Sequence, residues 1–276
     1  MEYTFGLRGH DIADGFQQMC SVARDNNVKE LQFAMAKTIN DINFNDFGYN
    51  AEFSAKIKNQ LNEYGLSVDV LGCYINPVNA DRKELDKALK LFGDFIPYAR
   101  DFNATVIGTE TGSNGDLKNT WSEENYKFFL DNFSPLVQKA EDYGVTIGIE
   151  PLRFFTISSP TKMKRMIDDV KSENLGVILD ISNMIEIENR KDQHLIIDQS
   201  FDLFADKIKV IHLKDFMFDK NEKKITLVGA GELDVKYLFD KIKKFNVSCQ
   251  FILDETRVED YSESLIRIEN LLSENN

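Results

Sequence analysis

Three residues with metal-binding side chains close apolar segments in the second half of the sequence. Glu150 ends Val-Thr-Ile-Gly-Ile-Glu, Asp180 ends Gly-Val-Ile-Leu-Asp, and His212 interrupts Val-Ile-His-Leu-Lys-Asp. A further acidic position follows Phe-Ile-Leu, where Asp254 and Glu255 are adjacent. Because consecutive residues of a strand point to opposite sides, only one of these two carboxylates can share a pocket with the other three groups.

The separations are regular: 30 residues from Glu150 to Asp180, 32 to His212 and 43 to Glu255. Burying a carboxylate is costly unless it is paired or bound to a metal. Clustered carboxylates also raise one another's pKa when no cation lies among them. An oxygen-rich set with one imidazole suits Mn²⁺, Mg²⁺ or Co²⁺, so we predict a site for one divalent cation.

The elements that must position these groups alternate along the chain. Short apolar runs, several of them apolar nearly throughout, predict strands that are covered on both faces. They are Tyr3–Arg8, Glu30–Met35, Ser67–Tyr74, Thr105–Thr109, Val145–Glu150, Gly176–Asp180, Ile208–Lys214 and Gln250–Glu255. Apolar residues at helical spacing predict the helices between them. These are Ile12–Asp25, Ala51–Tyr64, Lys83–Phe102, Ser122–Tyr143, Pro160–Ser172, Gln193–Asp206, Val235–Phe245 and Tyr261–Ser273.

Eight strands alternating with eight helices predict an α/β protein with a parallel sheet. No Gly-rich dinucleotide loop follows the first strand, so a Rossmann fold is disfavoured. We therefore predict a single-domain (β/α)₈ TIM barrel over residues 1–276, with an extra loop at Phe216–Leu227. In such barrels, functional residues lie at the carboxyl ends of the strands.

Composition narrows the class of protein. The 276 residues carry a formal charge of −13, which disfavours nucleic acid and anionic membrane surfaces as partners. The sequence contains neither a long apolar span nor a recognisable secretion signal, so we expect a cytoplasmic protein. Its three cysteines are far apart and form no CxxC pair, so neither a disulfide framework nor a thiolate zinc site is predicted.

The motifs resemble those of the xylose-isomerase-like barrel superfamily of sugar phosphate isomerases and epimerases, especially the ketose 3-epimerases. The resemblance runs along most of the chain. It is carried by Gly6-Leu7-Arg8-Gly9-His10-Asp11, Ile149-Glu150-Pro151-Leu152, Leu179-Asp180, Ile211-His212-Leu213-Lys214-Asp215, Gly229-Ala230-Gly231-Glu232-Leu233-Asp234 and Asp254-Glu255. It implies Glu150, Asp180, His212 and Glu255 as ligands of one divalent ion, with Glu150 and Glu255 as the catalytic acid/base pair. The choice of Glu255 over Asp254 rests on this resemblance.

The resemblance also implies the reaction: proton transfer through a metal-bound cis-enediolate, either to the opposite face (epimerisation) or to a neighbouring carbon (isomerisation). Mn²⁺ is the favoured ion, with Mg²⁺, Co²⁺ or Zn²⁺ as alternatives. A small-molecule sugar or sugar phosphate is the expected partner, and a homo-oligomer is compatible with the family. Further polar residues at strand ends are expected to bind substrate, namely His10, Glu110, Asn183 and Lys214.

Two positions depart from the epimerase pattern. Asn183 stands where that family has a substrate-contacting His, and Phe218 stands where it has an Arg. These departures leave open a metal-dependent dehydratase of inositol derivatives, or a catalytically silent sugar-binding barrel. The apurinic-site endonuclease branch of the superfamily is disfavoured, because only three His are present and the net charge is strongly negative.

Overall fold

The computed structural model describes residues 3–273 and has eight parallel strands that close into a barrel. The predicted domain 1–276 therefore includes five terminal residues outside the described range. The barrel strands are β1 (Phe5–Arg8), β2 (Glu30–Phe33), β3 (Ser67–Gly72), β4 (Val106–Glu110), β5 (Ile147–Glu150), β6 (Leu175–Leu179), β7 (Ile208–Leu213) and β10 (Gln250–Leu253). Their order around the barrel is β1-β10-β7-β6-β5-β4-β3-β2, which confirms the predicted TIM fold.

Helices surround the barrel, and local sequence explains where several of them start and end. Ser122 caps one helix by accepting from Asn125 N, and that helix ends at Gly144, whose φ is +64°. The helices are α1 (Gly9–Ile12), α2 (Phe16–Asp25), α3 (Met35–Thr38), α4 (Phe44–Phe47), α5 (Ala51–Glu63), α6 (Arg82–Asp101), α7 (Leu117–Thr120), α8 (Glu123–Tyr143), α9 (Pro160–Val170), α10 (Gln193–Phe204), α11 (Val235–Lys244) and α12 (Tyr261–Ser273).

Two predicted segments differ from the structure. The helix expected at Ile12–Asp25 is divided into α1 and α2, since extended Ala13 and left-handed Gly15 interrupt it. The loop expected at Phe216–Leu227 is largely a β-hairpin of β8 (Asp215–Asp219) and β9 (Glu222–Thr226). Lys220 has a φ of +58°, which suits the two-residue turn between these antiparallel strands.

The floor of the barrel interior is apolar. Five fully buried aliphatic side chains fill it, namely Val70, Val106, Ile178, Val210 and Ile252. Gly108 leaves room for them, because a Cβ there would lie 2.7 Å from Val70 Cγ1. Side chains two residues further along each strand face the same interior and reach its carboxyl-terminal mouth.

No helix among residues 3–273 combines the length and the apolar character needed to cross a membrane.

Candidate metal centre

Glu150, Asp180 and His212 come together at the mouth of the barrel. Glu150 is the last residue of β5, Asp180 follows β6, and His212 lies in β7. One potential ligand atom from each lies within 4.8 Å of the others. All three residues are at most 3% exposed, so water screens the electrostatic interactions between them only weakly.

The strand register brings these three groups together. Each of them lies two residues beyond an inward-facing position, as Asp180 does beyond Ile178 and His212 beyond Val210. The pairing of β6 with β7 shifts between Val177 and Ile178, so that Ile178 lies beside Val210. Because of this irregularity, the inward-facing residues of the two strands lie side by side.

Asn183 holds the two carboxylates in place. Its side-chain amide donates to Glu150 Oε1 at 2.6 Å, and its backbone N–H donates to Asp180 Oδ1 at 3.0 Å. Each carboxylate keeps a second oxygen that neither of these bonds uses. Asn183, predicted to bind substrate, is thus a positioning residue for Glu150 and Asp180 in this structure.

The donor set fits a divalent cation. His212 Nδ1 lies 3.3 Å from Glu150 Oε2, and within the described part of the chain nothing hydrogen-bonds His212 Nε2. Burial alone would lower the pKa of His212, but the negative charge of Glu150 raises it. Burial raises the pKa of Asp180 despite the Lys214 ammonium nearby. A cation would relieve both the buried negative charge and the orphaned imidazole nitrogen.

The acidic pair after β10 is divided between pocket and surface. Asp254 is 5% exposed, and its oxygens lie 2.8 Å from Lys214 Nζ and 3.1 Å from Arg8 Nη1. The side chain of Glu255 is 43% exposed, and the backbone there turns left-handed with a φ of +52°. Asp254 therefore faces the interior, like Ile252 two residues earlier, while Glu255 stands at the rim and is not among the three convergent groups.

Lys214 is the central cation of the pocket. Besides Asp254, its ammonium lies 3.2 Å from Asp180 Oδ2 and 3.2 Å from Glu255 Oε1. Burial would lower the pKa of Lys214, but Asp180 and Asp254 raise it far above its ordinary range. Asp254 in turn has a lowered pKa, because the positive charges of His212, Lys214 and Arg8 outweigh its burial. Lys214 therefore stays charged and holds Asp254 ionised.

The strands β4 and β1, which adjoin β5 and β10 in the barrel, lead to the other predicted substrate-binding residues. Glu110 pairs in register with Glu150, and burial together with the Glu150 charge raises its pKa to about 7. His10 lies in α1; its Nδ1 is buried without a hydrogen-bond partner among residues 3–273, and burial lowers its pKa. Gln32 and Tyr74 also lie on this side of the mouth, where Gln32 Nε2–H donates to the Tyr74 hydroxyl at 2.6 Å.

Sequence reasoning left Arg8, Gln32 and Tyr74 out of the site. The signal that would have found Arg8 and Gln32 is the inward alternation, since Arg8 lies two residues beyond inward-facing Gly6 and Gln32 pairs with Arg8. Phe218, where the epimerase pattern has an Arg, lies on the β8–β9 hairpin. The guanidinium of Arg190 stands 5.5 Å from its ring centre.

Comparison with known proteins gives a family and a fold. A family model described as xylose isomerase-like TIM barrel matches residues 20–271. Over 197 residues the chain is 21% identical to the uncharacterized protein MJ1311 of Methanocaldococcus jannaschii, a match that spans 67% of this chain and 62% of that protein.

Two solved structures share the fold over nearly the whole chain. A D-tagatose 3-epimerase-like protein superposes with a TM-score of 0.77 at 16% identity and covers 98% of this chain and 97% of its own. The IOLI protein, with a zinc atom bound, gives 0.75 at 12% identity and 99% coverage of both chains. Because the family model matches most of the sequence, the chain belongs to the xylose isomerase-like TIM barrel family.

Proposed function

We propose that this protein is a divalent-metal-dependent isomerase or epimerase that acts on a small sugar. The convergence of Glu150, Asp180 and His212 at the barrel mouth carries this proposal. The bound zinc of the similar IOLI structure and the epimerase-like character of the other neighbour support it. Mn²⁺ is the first candidate for the ion, with Mg²⁺, Co²⁺ and Zn²⁺ as alternatives.

Glu150, Asp180 and His212 hold the ion in this proposal, and Asp254 is the carboxylate that faces it from β10. Asp254 replaces Glu255 in that role, because Asp254 is buried on the pocket side while Glu255 is half exposed. When bound, the cation would orient the sugar's carbonyl and hydroxyl oxygens and acidify the adjacent C–H bond.

Proton transfer falls to Glu150 in this proposal. Its carboxylate is ionically paired with neither a lysine nor an arginine in the described chain, and Asn183 fixes its orientation with one amide hydrogen. In an isomerisation, Glu150 removes the proton next to the carbonyl and returns it to the neighbouring carbon. Epimerisation needs a second acid that delivers a proton to the opposite face of the same carbon. Lys214 stabilises the oxyanion that develops, because its ammonium is buried and already fixed by two aspartates.

A panel of ketoses incubated in D₂O with the Mn²⁺-loaded protein and followed by NMR tests this function. We expect deuterium at a carbon beside the carbonyl, and its complete loss in Glu150→Gln. Loss of water from the substrate instead would favour a dehydratase. The absence of exchange and of product from protein that retains Mn²⁺ would contradict an enzymatic role.

A further inference from the structure

Two loops at the carboxyl end of the barrel contact each other. One follows β4 and contains Trp121; the other follows β5 and contains Arg153. The Trp121 indole N–H donates to the backbone oxygen of Phe155 at 3.1 Å, which ties the first loop to the second. The indole is 36% exposed, so it borders the solvent at the rim instead of filling the core.

Two cations lie over this one indole ring. Lys162 Nζ is 4.9 Å from the ring centre, and the Arg153 guanidinium carbon is 5.5 Å from it. Neither cation forms a salt bridge with any carboxylate in residues 3–273. The chain has 46 acidic against 33 basic residues, so two adjacent cations without an acidic partner are unexpected. Burial, and after it the positive charge of Arg153, lowers the pKa of Lys162.

The Lys162 side chain and the Arg153 backbone are each held by a hydrogen bond. The Lys162 ammonium donates to Ser158 Oγ at 3.0 Å, and Ser158 is only 6% exposed. Arg153 donates its backbone N–H to Asn183 O at 2.9 Å, which fixes the start of its side chain. Two neighbouring donors of one charge, with no counter-ion among residues 3–273, favour binding of an anion from outside.

Arg153 lies close to Glu150 along the chain. Arg153 is three residues after Glu150, so their Cα atoms are at most roughly 10 Å apart. Asn183 links the two regions directly, since its backbone oxygen binds Arg153 and its side chain binds Glu150. A ligand at Glu150 that extends towards Arg153 also approaches Lys162, because both cations lie over the Trp121 ring.

We propose that Arg153 and Lys162 form a subsite for the phosphate group of a phosphorylated sugar. This inference rests on the proposed function and specifies its substrate class. A phosphate monoester carries close to two negative charges and three acceptor oxygens, which matches two cations better than a neutral hydroxymethyl group does. The turn that contains Gly229 and Gly231 is not available to bind a phosphate, because both backbone N–H groups already donate to Asp215.

The fluorescence of Trp121 reports on this site, because Trp121 is the only tryptophan in the chain. The full-length, Mn²⁺-loaded protein is titrated with inorganic phosphate, D-fructose 6-phosphate and D-fructose while its fluorescence is recorded. We expect a saturable change with the two phosphate compounds, and binding of D-fructose at least about tenfold weaker than that of its phosphate ester.

Arg153→Gln and Lys162→Gln test the two cations separately. Each should weaken binding of D-fructose 6-phosphate by about tenfold or more while Mn²⁺ binding is retained. Lys164→Gln is the control, since this lysine lies on the same helix α9 and pairs with Asp168. Its affinity for the phosphate ester should stay within about twofold of the unmodified protein.

Three results would overturn the subsite: no fluorescence response to either phosphate compound, equal affinity for D-fructose and its phosphate ester, or unchanged affinity in both variants. Each leaves the proposed function intact when Mn²⁺ is bound in the same samples. Failure of the unmodified protein to bind Mn²⁺ would instead contradict the proposed function, whatever the phosphate titration gives.

Discussion

Asn183 shows how one residue can organise a buried acidic pocket. Its amide hydrogen and its backbone N–H bind one oxygen each of Glu150 and Asp180, at 2.6 and 3.0 Å. Hydrogen bonds to ionised carboxylates stabilise the charged form without adding a charge of their own. An imidazole at this position would introduce a titratable group, whereas the amide keeps both carboxylates oriented at every pH at which they are ionised.

The contrast between Asp254 and Glu255 yields a prediction at the scale of single residues. Asp254→Asn should weaken Mn²⁺ binding by about tenfold or more, because it removes a buried charge at the pocket and leaves Lys214 and Arg8 with a poorer partner. Glu255→Gln should change the affinity by less than about threefold, since that side chain is 43% exposed. Calorimetric Mn²⁺ titration of both variants measures this. The reverse ranking would restore Glu255 as the ligand.

Among the elements, the β8–β9 hairpin depends on one buried aspartate. The Asp215 carboxylate accepts from the backbone N–H groups of Phe216, Gly229, Gly231 and Leu233 at 2.7 to 2.9 Å. A Cβ at Gly231 would lie 2.3 Å from Asp215 Oδ1, so only glycine allows this approach. The carboxylate thus fixes the segment that connects the hairpin to α11.

Asp215→Asn should therefore loosen this segment. The amide turns an NH₂ group towards backbone N–H donors, and we expect a loss of about 3 kcal/mol in the free energy of unfolding. Hydrogen exchange at Gly229, Gly231 and Leu233 should accelerate while the barrel strands keep their protection. Asp219→Asn, at the exposed tip of the same hairpin, is the matched control. Equal protection in the two variants would show that Asp215 is not the anchor.

The pairing irregularity between β2 and β3 predicts a pH effect on stability. Leu31 pairs with Val68 and Gln32 with Val70, which leaves Asp69 as the extra residue of a bulge. Burial, and secondarily the charge of Glu30, raises the pKa of Asp69 to about 7. Because its folded-state pKa is raised, the native state holds this proton more tightly, and stability is lost as the pH rises from about 4 through 7.

Asp69→Asn should remove this dependence. At pH 8 the variant should be more stable by up to about 4 kcal/mol, because the asparagine carries no charge to bury, and near pH 4 the difference should vanish. Urea unfolding at the two pH values measures it. Asp202→Asn, on the exposed face of α10, should show no such change. A gain at pH 4 as large as that at pH 8 would contradict the assignment.

At the scale of the whole molecule, the strand–helix alternation was enough to predict the closed barrel and the convergence of Glu150, Asp180 and His212. The pattern could do this because each group lies at or near the carboxyl end of an apolar strand, and parallel strands share one carboxyl edge. It could not choose between Asp254 and Glu255, since that depends on where β10 ends and on the left-handed turn at Glu255. The β8–β9 hairpin was not predicted, because its many charged residues are typical of a loop.

Other parts of the site depend on contacts between distant segments. The sequence does not reveal that Asn183 reaches Glu150 or that Lys214 bridges Asp180 and Asp254, because these contacts join segments from different strands of the barrel. Acidic residues outnumber basic ones by 46 to 33, so two neighbouring cations without a carboxylate partner among residues 3–273 are notable. Oligomeric state stays a prediction, to be measured by light scattering.

The most direct test of the metal centre is the metal content of purified protein after Mn²⁺ loading and dialysis. The unmodified protein should retain about one ion per chain, and Glu150→Gln, Asp180→Asn and His212→Ala should each retain almost none while unfolding cooperatively. His194→Ala removes a half-exposed imidazole on α10 and should retain the ion. Retention by His212→Ala, or no metal in the unmodified protein, would contradict the convergence of these three residues on one cation.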